Sequence, residues 1–149
     1  MKGKLLIFIL LVFLSCQKKQ PLLIVNDSDK VIYFTYSPSS KLKDWDGVRI
    51  YGMVDGDTID NLDNTSRILP NETIEVVDFV SLDQTIDDEF GGKIYIYFFE
   101  ENTLKKYPWR LIVSGKLYSK MQKYEKDDLV KLNWKINYSD KSSSNPKIF

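Results

Sequence analysis

At 149 residues, with 43% hydrophobic and 13% aromatic content, the chain is sized for one compact domain and is too apolar for disorder; its nine Tyr and eight Phe favour strands. Lys+Arg and Asp+Glu both number 21, a balance that argues against bulk electrostatic binding to nucleic acid. The absence of His and the single Cys exclude a Ser-His-Asp triad, a Cys-His pair, a His-based zinc site, an internal disulfide and a Cys metal cluster, so catalysis would fall to carboxylates, Lys, Tyr or Ser.

The first sixteen residues read as an address. Lys2 and Lys4 form a short positive region, residues 5–14 are an unbroken apolar run, and Ser15 and Cys16 follow. Charged, then apolar, then small is the layout of a secretory signal. Ten residues in a helix span only about 15 Å, half of a bilayer core, which is too short for a permanent span. The run ending Phe13-Leu14-Ser15-Cys16 resembles a bacterial lipoprotein signal, in a form similar to those of Bacteroidota. That resemblance implies cleavage before Cys16, acylation of its sulfur and amine, and a signal peptide at residues 1–15. Two or three acyl chains anchor stably where one is marginal. Cleavage removes Lys2 and Lys4 and leaves the mature chain two charges negative. Residues 16–21 then form the lipidated end and a polar tether. Gln17 in place of Asp implies outer-membrane sorting, with the periplasmic or surface face left open.

Residues 22–25 form an apolar, β-branched run, 26–30 carry turn chemistry, and 31–36 read as a second strand, so the spacing predicts a β-hairpin. Pro38 breaks the pattern. Residues 48–54 read as a strand, 55–57 as a turn, 58–62 as a weaker return strand, and 60–67 as polar loop. Residues 69–72 predict a turn into a strand over 73–80, with Ile74, Val76 and Asp78 on one face and Thr73, Glu75, Val77 and Phe79 on the other.

Residues 82–92 are acidic and loop-like. Residues 94–99, six apolar residues without a breaker, belong at the centre of a sheet. Residues 103–113 begin as loop and end as a short helix, with Pro108 in its first turn and Gly115 after its last. A strand is expected over 117–124, and a second helix over 126–132 with Leu129 and Leu132 on one face. A final strand over 133–138 sends Trp134, Ile136 and Tyr138 to one side, and a polar flexible tail runs over 139–149. The expected fold is mainly β: a single domain over 22–138, an antiparallel β-sandwich with one or two short helices near the C-terminus, with α+β as the alternative.

Two segments carry a further resemblance. One is residues 24–33, from Ile24 through Asn26-Asp27-Ser28-Asp29-Lys30 to Tyr33. The other runs from Tyr107-Pro108-Trp109 through Tyr124 and Leu129 to Trp134-Lys135-Ile136-Asn137-Tyr138. Their order and spacing resemble a group of small Bacteroidota envelope lipoproteins to which no activity is assigned. Pro108 and Arg110 stand where that group usually has a small polar and an acidic residue. The resemblance implies a cell-envelope location and brings no catalytic residue.

Three candidate sites stand out. Asp55, Asp57, Asp60 and Asp63 place oxygen ligands at close spacing around Gly56, a weak calcium pattern without a bidentate Glu to close it; a hairpin turn explains the same residues. Asp83, Asp87, Asp88 and Glu89 could supply paired carboxylates for glycoside hydrolysis, against the plainer reading of a solvated loop. Trp45, between Asp44 and Asp46, could stack on a sugar or anchor a protein partner. The favoured expectation is that its indole folds back to plug one end of the sandwich, because Trp is highly buried on average. Trp109 and Trp134 sit in periodic apolar patterns and belong to the core.

These readings converge on a lipid-anchored envelope protein that binds an envelope protein or glycan or plays a structural role, without a cofactor and without catalysis. Two other classes stand beside it. An inhibitor or immunity-type lipoprotein would form a tight one-to-one complex with an envelope-targeting toxin. A carboxylate-dependent hydrolase would need two close carboxylates in a cleft.

Overall fold

In the computed structural model, residues 20–47, 50, 62–76 and 82–140 are described. Cys16, the expected strand over 48–54, the Asp55–Asp60 series and residues 77–80 of the expected 73–80 strand lie outside them, apart from Ile50, which is fully buried.

Seven strands build two sheets. β1 (Leu22–Asn26), β4 (Thr73–Val76) and β7 (Lys135–Tyr138) form one, in the order β4-β1-β7. β2 (Ile32–Ser37), β3 (Arg67–Ile68), β5 (Lys93–Glu100) and β6 (Lys120–Glu125) form the other, in the order β3-β2-β5-β6. All pairings are antiparallel except β1 with β7, which run parallel. The fold is therefore mainly β and sandwich-like, as the composition and turn spacing predict. β5 lies between β2 and β6, the central place its apolar run demands.

That run is unbroken because the four-stranded sheet is covered on both faces. Ile32 and Phe34 of β2 and Ile94, Ile96 and Phe98 of β5 meet Leu22, Ile24, Val76, Ile136 and Tyr138 of the opposite sheet. The intervening residues Tyr33, Tyr97 and Phe99 point the other way, into a second cluster with Ile50, Leu104, Trp109 and Ile112. Successive strand side chains alternate faces, so a strand buried on both sides has no polar position to offer. The three-stranded sheet keeps one wet face: Thr73, Glu75, Lys135 and Asn137 are exposed, while Val76, Ile136 and Tyr138 are buried.

The second cluster is closed by helices α2 (Glu101–Lys106) and α3 (Trp109–Gly115). α1 (Leu82–Asp88) and α4 (Lys126–Lys131) cap the first. Four sequence expectations need correction here. Residues 82–88 form a helix because Leu82 and Ile86, one turn apart, both reach the core, while Asp87 and Asp88 are exposed on the outer side. Residues 101–106 are a helix of their own, and the segment up to Pro108 is not simply loop. The left-handed position that ends α3 falls on Lys116, with φ 52°, and not on Gly115. On α4, Leu129 is buried but Leu132 is 45% exposed, because the helix ends at Lys131 and Leu132 leaves it as the C-cap, with φ −84° and ψ 5°.

The predicted hairpin of β1 and β2 also fails. The two strands lie in different sheets, and residues 27–31 cross between them. Asn26 enforces the crossing. Its buried amide donates to the carbonyls of Lys30, Ile68 and Leu69 at 2.7, 3.2 and 3.1 Å, and its Oδ1 accepts from the Ser28 amide and hydroxyl. The predicted turn at 69–72 is present, with Asn71 at φ 60° donating its N–H to the Asn26 carbonyl.

Candidate functional site

The candidate site grows out of the end of β2. After Ser37 the chain passes Pro38 and folds back over the outer face of the four-stranded sheet, ending in a 3-10 turn at Asp44–Gly47. Buried donors from the sheet hold it there. Thr35 Oγ1 donates to the Asp46 carbonyl at 2.7 Å, and the Tyr97 hydroxyl donates to the Ser39 carbonyl at 2.9 Å. Within the loop, the Lys43 N–H donates to Asp46 Oδ2 at 2.8 Å and the Asp46 N–H to the Lys43 carbonyl at 3.1 Å. The Trp109 indole N–H reaches the same Lys43 carbonyl at 3.4 Å.

Gly47 closes the turn against Trp109. A Cβ at this position would stand 2.7 Å from Trp109 Cε2, so only glycine lets the backbone lie on the ring. Trp109 in turn packs on Phe99, with ring centroids 5.5 Å apart. The seat beneath the loop is therefore filled by Trp109, which is 4% exposed, and Trp45 is turned outward at 65% exposure. This overturns the expectation that Trp45 plugs the end of the sandwich. Trp109 and Trp134 are core residues, as their periodic patterns predict.

The electrostatics of the turn are uneven. Burial pushes the Asp46 carboxyl above its ordinary value, opposed by the hydrogen bonds from the Lys43 backbone and the Ser37 side chain and by the Lys43 charge. Burial likewise raises the Tyr97 hydroxyl, with further contributions from Tyr118 and the Asp46 charge, so it stays a proton donor to Ser39. On the outside, the Lys43 ammonium lies 4.7 Å from the centre of the Trp45 ring. Such an exposed cation–π contact is worth about 0.5–1 kcal/mol. Leaving two-thirds of an indole in water forgoes about 3 kcal/mol of burial, which the contact with Lys43 does not offset. An aromatic held outward on a hydrogen-bonded frame, at that cost, suits an anchor for another molecule.

The other predicted residues fall elsewhere. Asp63 caps the 3-10 turn at Asn64–Ser66, its Oδ1 accepting from the Thr65 N–H at 2.9 Å. Among the described residues no group of three or more acidic, His or Cys side chains could hold a metal ion. Asp87 of α1 pairs with Lys126 of α4, and Asp83 adds its field to the same ammonium. These acids tie two helices together at the surface, and Asp88 and Glu89 are exposed beyond them. Among the described residues no helix is long and apolar enough to cross a membrane.

The exposure of Trp45 is the feature that sequence reasoning missed. Its one local clue is the polar, Gly-ended setting Asp44-Trp45-Asp46-Gly47, which marks a surface turn. Comparison with family models, with curated proteins and with solved structures finds no match.

Proposed function

We propose that the chain is a lipid-anchored cell-envelope protein of the outer membrane whose β-rich domain binds an envelope protein or glycan through the Trp45 turn. The anchor rests on the sequence alone: Lys2 and Lys4, the apolar run over 5–14, then Ser15-Cys16, together with the resemblance to small Bacteroidota lipoproteins. The observation that carries the binding role is Trp45, exposed on a backbone that Thr35, Tyr97 and Trp109 hold in place. Binding by a rigid aromatic loses little conformational entropy, so contact area converts to affinity with little loss.

Each half has its own test. Intact mass of membrane-fraction protein should match residues 16–149 plus acyl chains, and Cys16→Ala should release the protein or leave an unprocessed precursor. Mature, membrane-bound Cys16→Ala protein would defeat the anchor. For binding, a photo-crosslinking amino acid at position 45 in living cells should give a discrete adduct, while the same probe at exposed Arg110 should not. Equal adducts from both positions, or none from position 45, would remove the role of Trp45.

A further inference from the structure

The place where the tether enters the domain carries an exposed apolar feature of its own. β1 starts at Leu22, and the Leu23 N–H donates to the Trp134 carbonyl at 2.7 Å. Lys135 is the register partner of Leu23, and its N–H donates to the Leu132 carbonyl at 3.1 Å. The turn that follows α4 is thus bonded directly to the point of entry. At the end of α4 Val130 is 53% exposed and on the turn Leu132 is 45% exposed, and Lys131, the last residue of α4, and Lys135, the first of β7, are exposed too. The acids nearest in sequence, Glu125, Asp127 and Asp128, belong to the N-cap and first turn of the same six-residue helix, where Glu125 and Asp128 are engaged in the capping box, and Asp87 of α1 is paired with Lys126.

The tether is short. Five residues separate Cys16 from Leu22, so acylation at Cys16 holds the start of β1 within about 20 Å of the lipid headgroups. The other end of β1, at Asn26 and the turn containing Asp29, lies a full strand beyond. Two exposed aliphatic side chains flanked by lysines are the chemistry of an interfacial contact: the aliphatic groups enter the headgroup boundary and the ammonium groups meet anionic lipid.

We propose that the α4–β7 turn, through Val130, Lys131, Leu132 and Lys135, seats on the surface of the bilayer that holds the lipid anchor and orients the domain upright on it. The proposal rests on acylation of Cys16. Seating this end against lipid leaves the Asn26 end of β1 farther out.

The test uses the full, acylated chain in vesicles containing anionic lipid and a headgroup-level spin-labelled lipid. With Cys16 blocked by its acyl chain, Leu132→Cys and, separately, Asp29→Cys each provide one thiol for an environment-sensitive fluorophore. The label at position 132 should shift to shorter wavelength and lose most of its emission to the spin label, and the label at position 29 should do neither. Combining Lys131→Glu and Lys135→Glu with Leu132→Cys should weaken the quenching. Equal quenching at both positions, or none at 132, on protein whose mass shows the acyl chains would overturn the orientation and leave the anchor standing. A mass without acyl chains, with two labels per molecule, would overturn the anchor and the orientation together.

Discussion

The buried side-chain amide of Asn26, on the three-stranded sheet, donates a hydrogen bond to the main-chain carbonyl of Ile68, on the four-stranded sheet, across 3.2 Å. With its bonds to Lys30 and Leu69, this one amide ties the two sheets at the crossing between β1 and β2. A second tie lies at Tyr138 of β7, whose hydroxyl donates to Ser119 Oγ at 3.1 Å while Ser119 holds the Phe98 carbonyl of β5. The sandwich is thus joined by directed bonds as well as by its apolar core.

Asn26→Ala should therefore destabilise the domain by about 2–3 kcal/mol, because it strips a donor from the buried Ile68 carbonyl and from those of Lys30 and Leu69. Urea denaturation would show a lower midpoint with an unchanged slope. A midpoint within error of the parent would mean that water reaches the crossing.

The two tryptophans should separate stability from binding. Trp109→Ala removes a ring buried against Phe99 and Gly47 and should cost about 3–5 kcal/mol. Trp45→Ala should change stability by no more than about 0.5 kcal/mol, since it removes an exposed side chain. Thermal melts of the two variants would check this; a large loss of stability in Trp45→Ala would return Trp45 to a packing role.

Asp46 should leave a mark on the pH dependence of stability. Its folded carboxyl is raised above the ordinary 3.8 by burial, so the folded state holds the proton more tightly than the unfolded chain. Stability from this group is greatest below the unfolded value and is lost as pH rises through the folded one. Asp46→Asn keeps an oxygen for the Lys43 N–H and removes the titration. The difference in unfolding free energy between variant and parent should grow as pH rises through the window just above 3.8, and a difference that stays flat across that window would refute the burial argument.

Lys116 ends α3 in the left-handed region at φ 52°, where a side chain is strained. Lys116→Gly should stabilise the domain by up to about 1 kcal/mol, the usual gain when glycine takes this position. Chemical denaturation decides it, and a destabilised variant would show that the Lys116 side chain contributes more than its backbone strain costs.

Much of the strand content was legible because it rests on local periodicity. The apolar run over 94–99 becomes central β5, and the alternation of Trp134, Ile136 and Tyr138 becomes the buried face of β7 and its approach. Turn chemistry at 69–72 places its bend correctly because Pro70 and Asn71 act on their own backbone. The acidic character of 82–92 conceals a helix, since two core-facing residues, Leu82 and Ile86, suffice once a surface waits for them. The candidate site was half legible: Trp45 was singled out, but its orientation was not.

The sequence by itself determined that the chain is mainly β, that the apolar run over 94–99 lies at the centre of a sheet, and which N-terminal residues carry the lipoprotein-like pattern; all three follow from residue type and short-range spacing. Only the tertiary structure decided that β1 and β2 part into separate sheets, because that depends on carbonyls more than forty residues away meeting the Asn26 amide. It likewise decided which tryptophan faces water. Trp109, delivered by α3, fills the seat against Gly47 and Phe99, and Trp45 stays outside as the exposed aromatic of the turn.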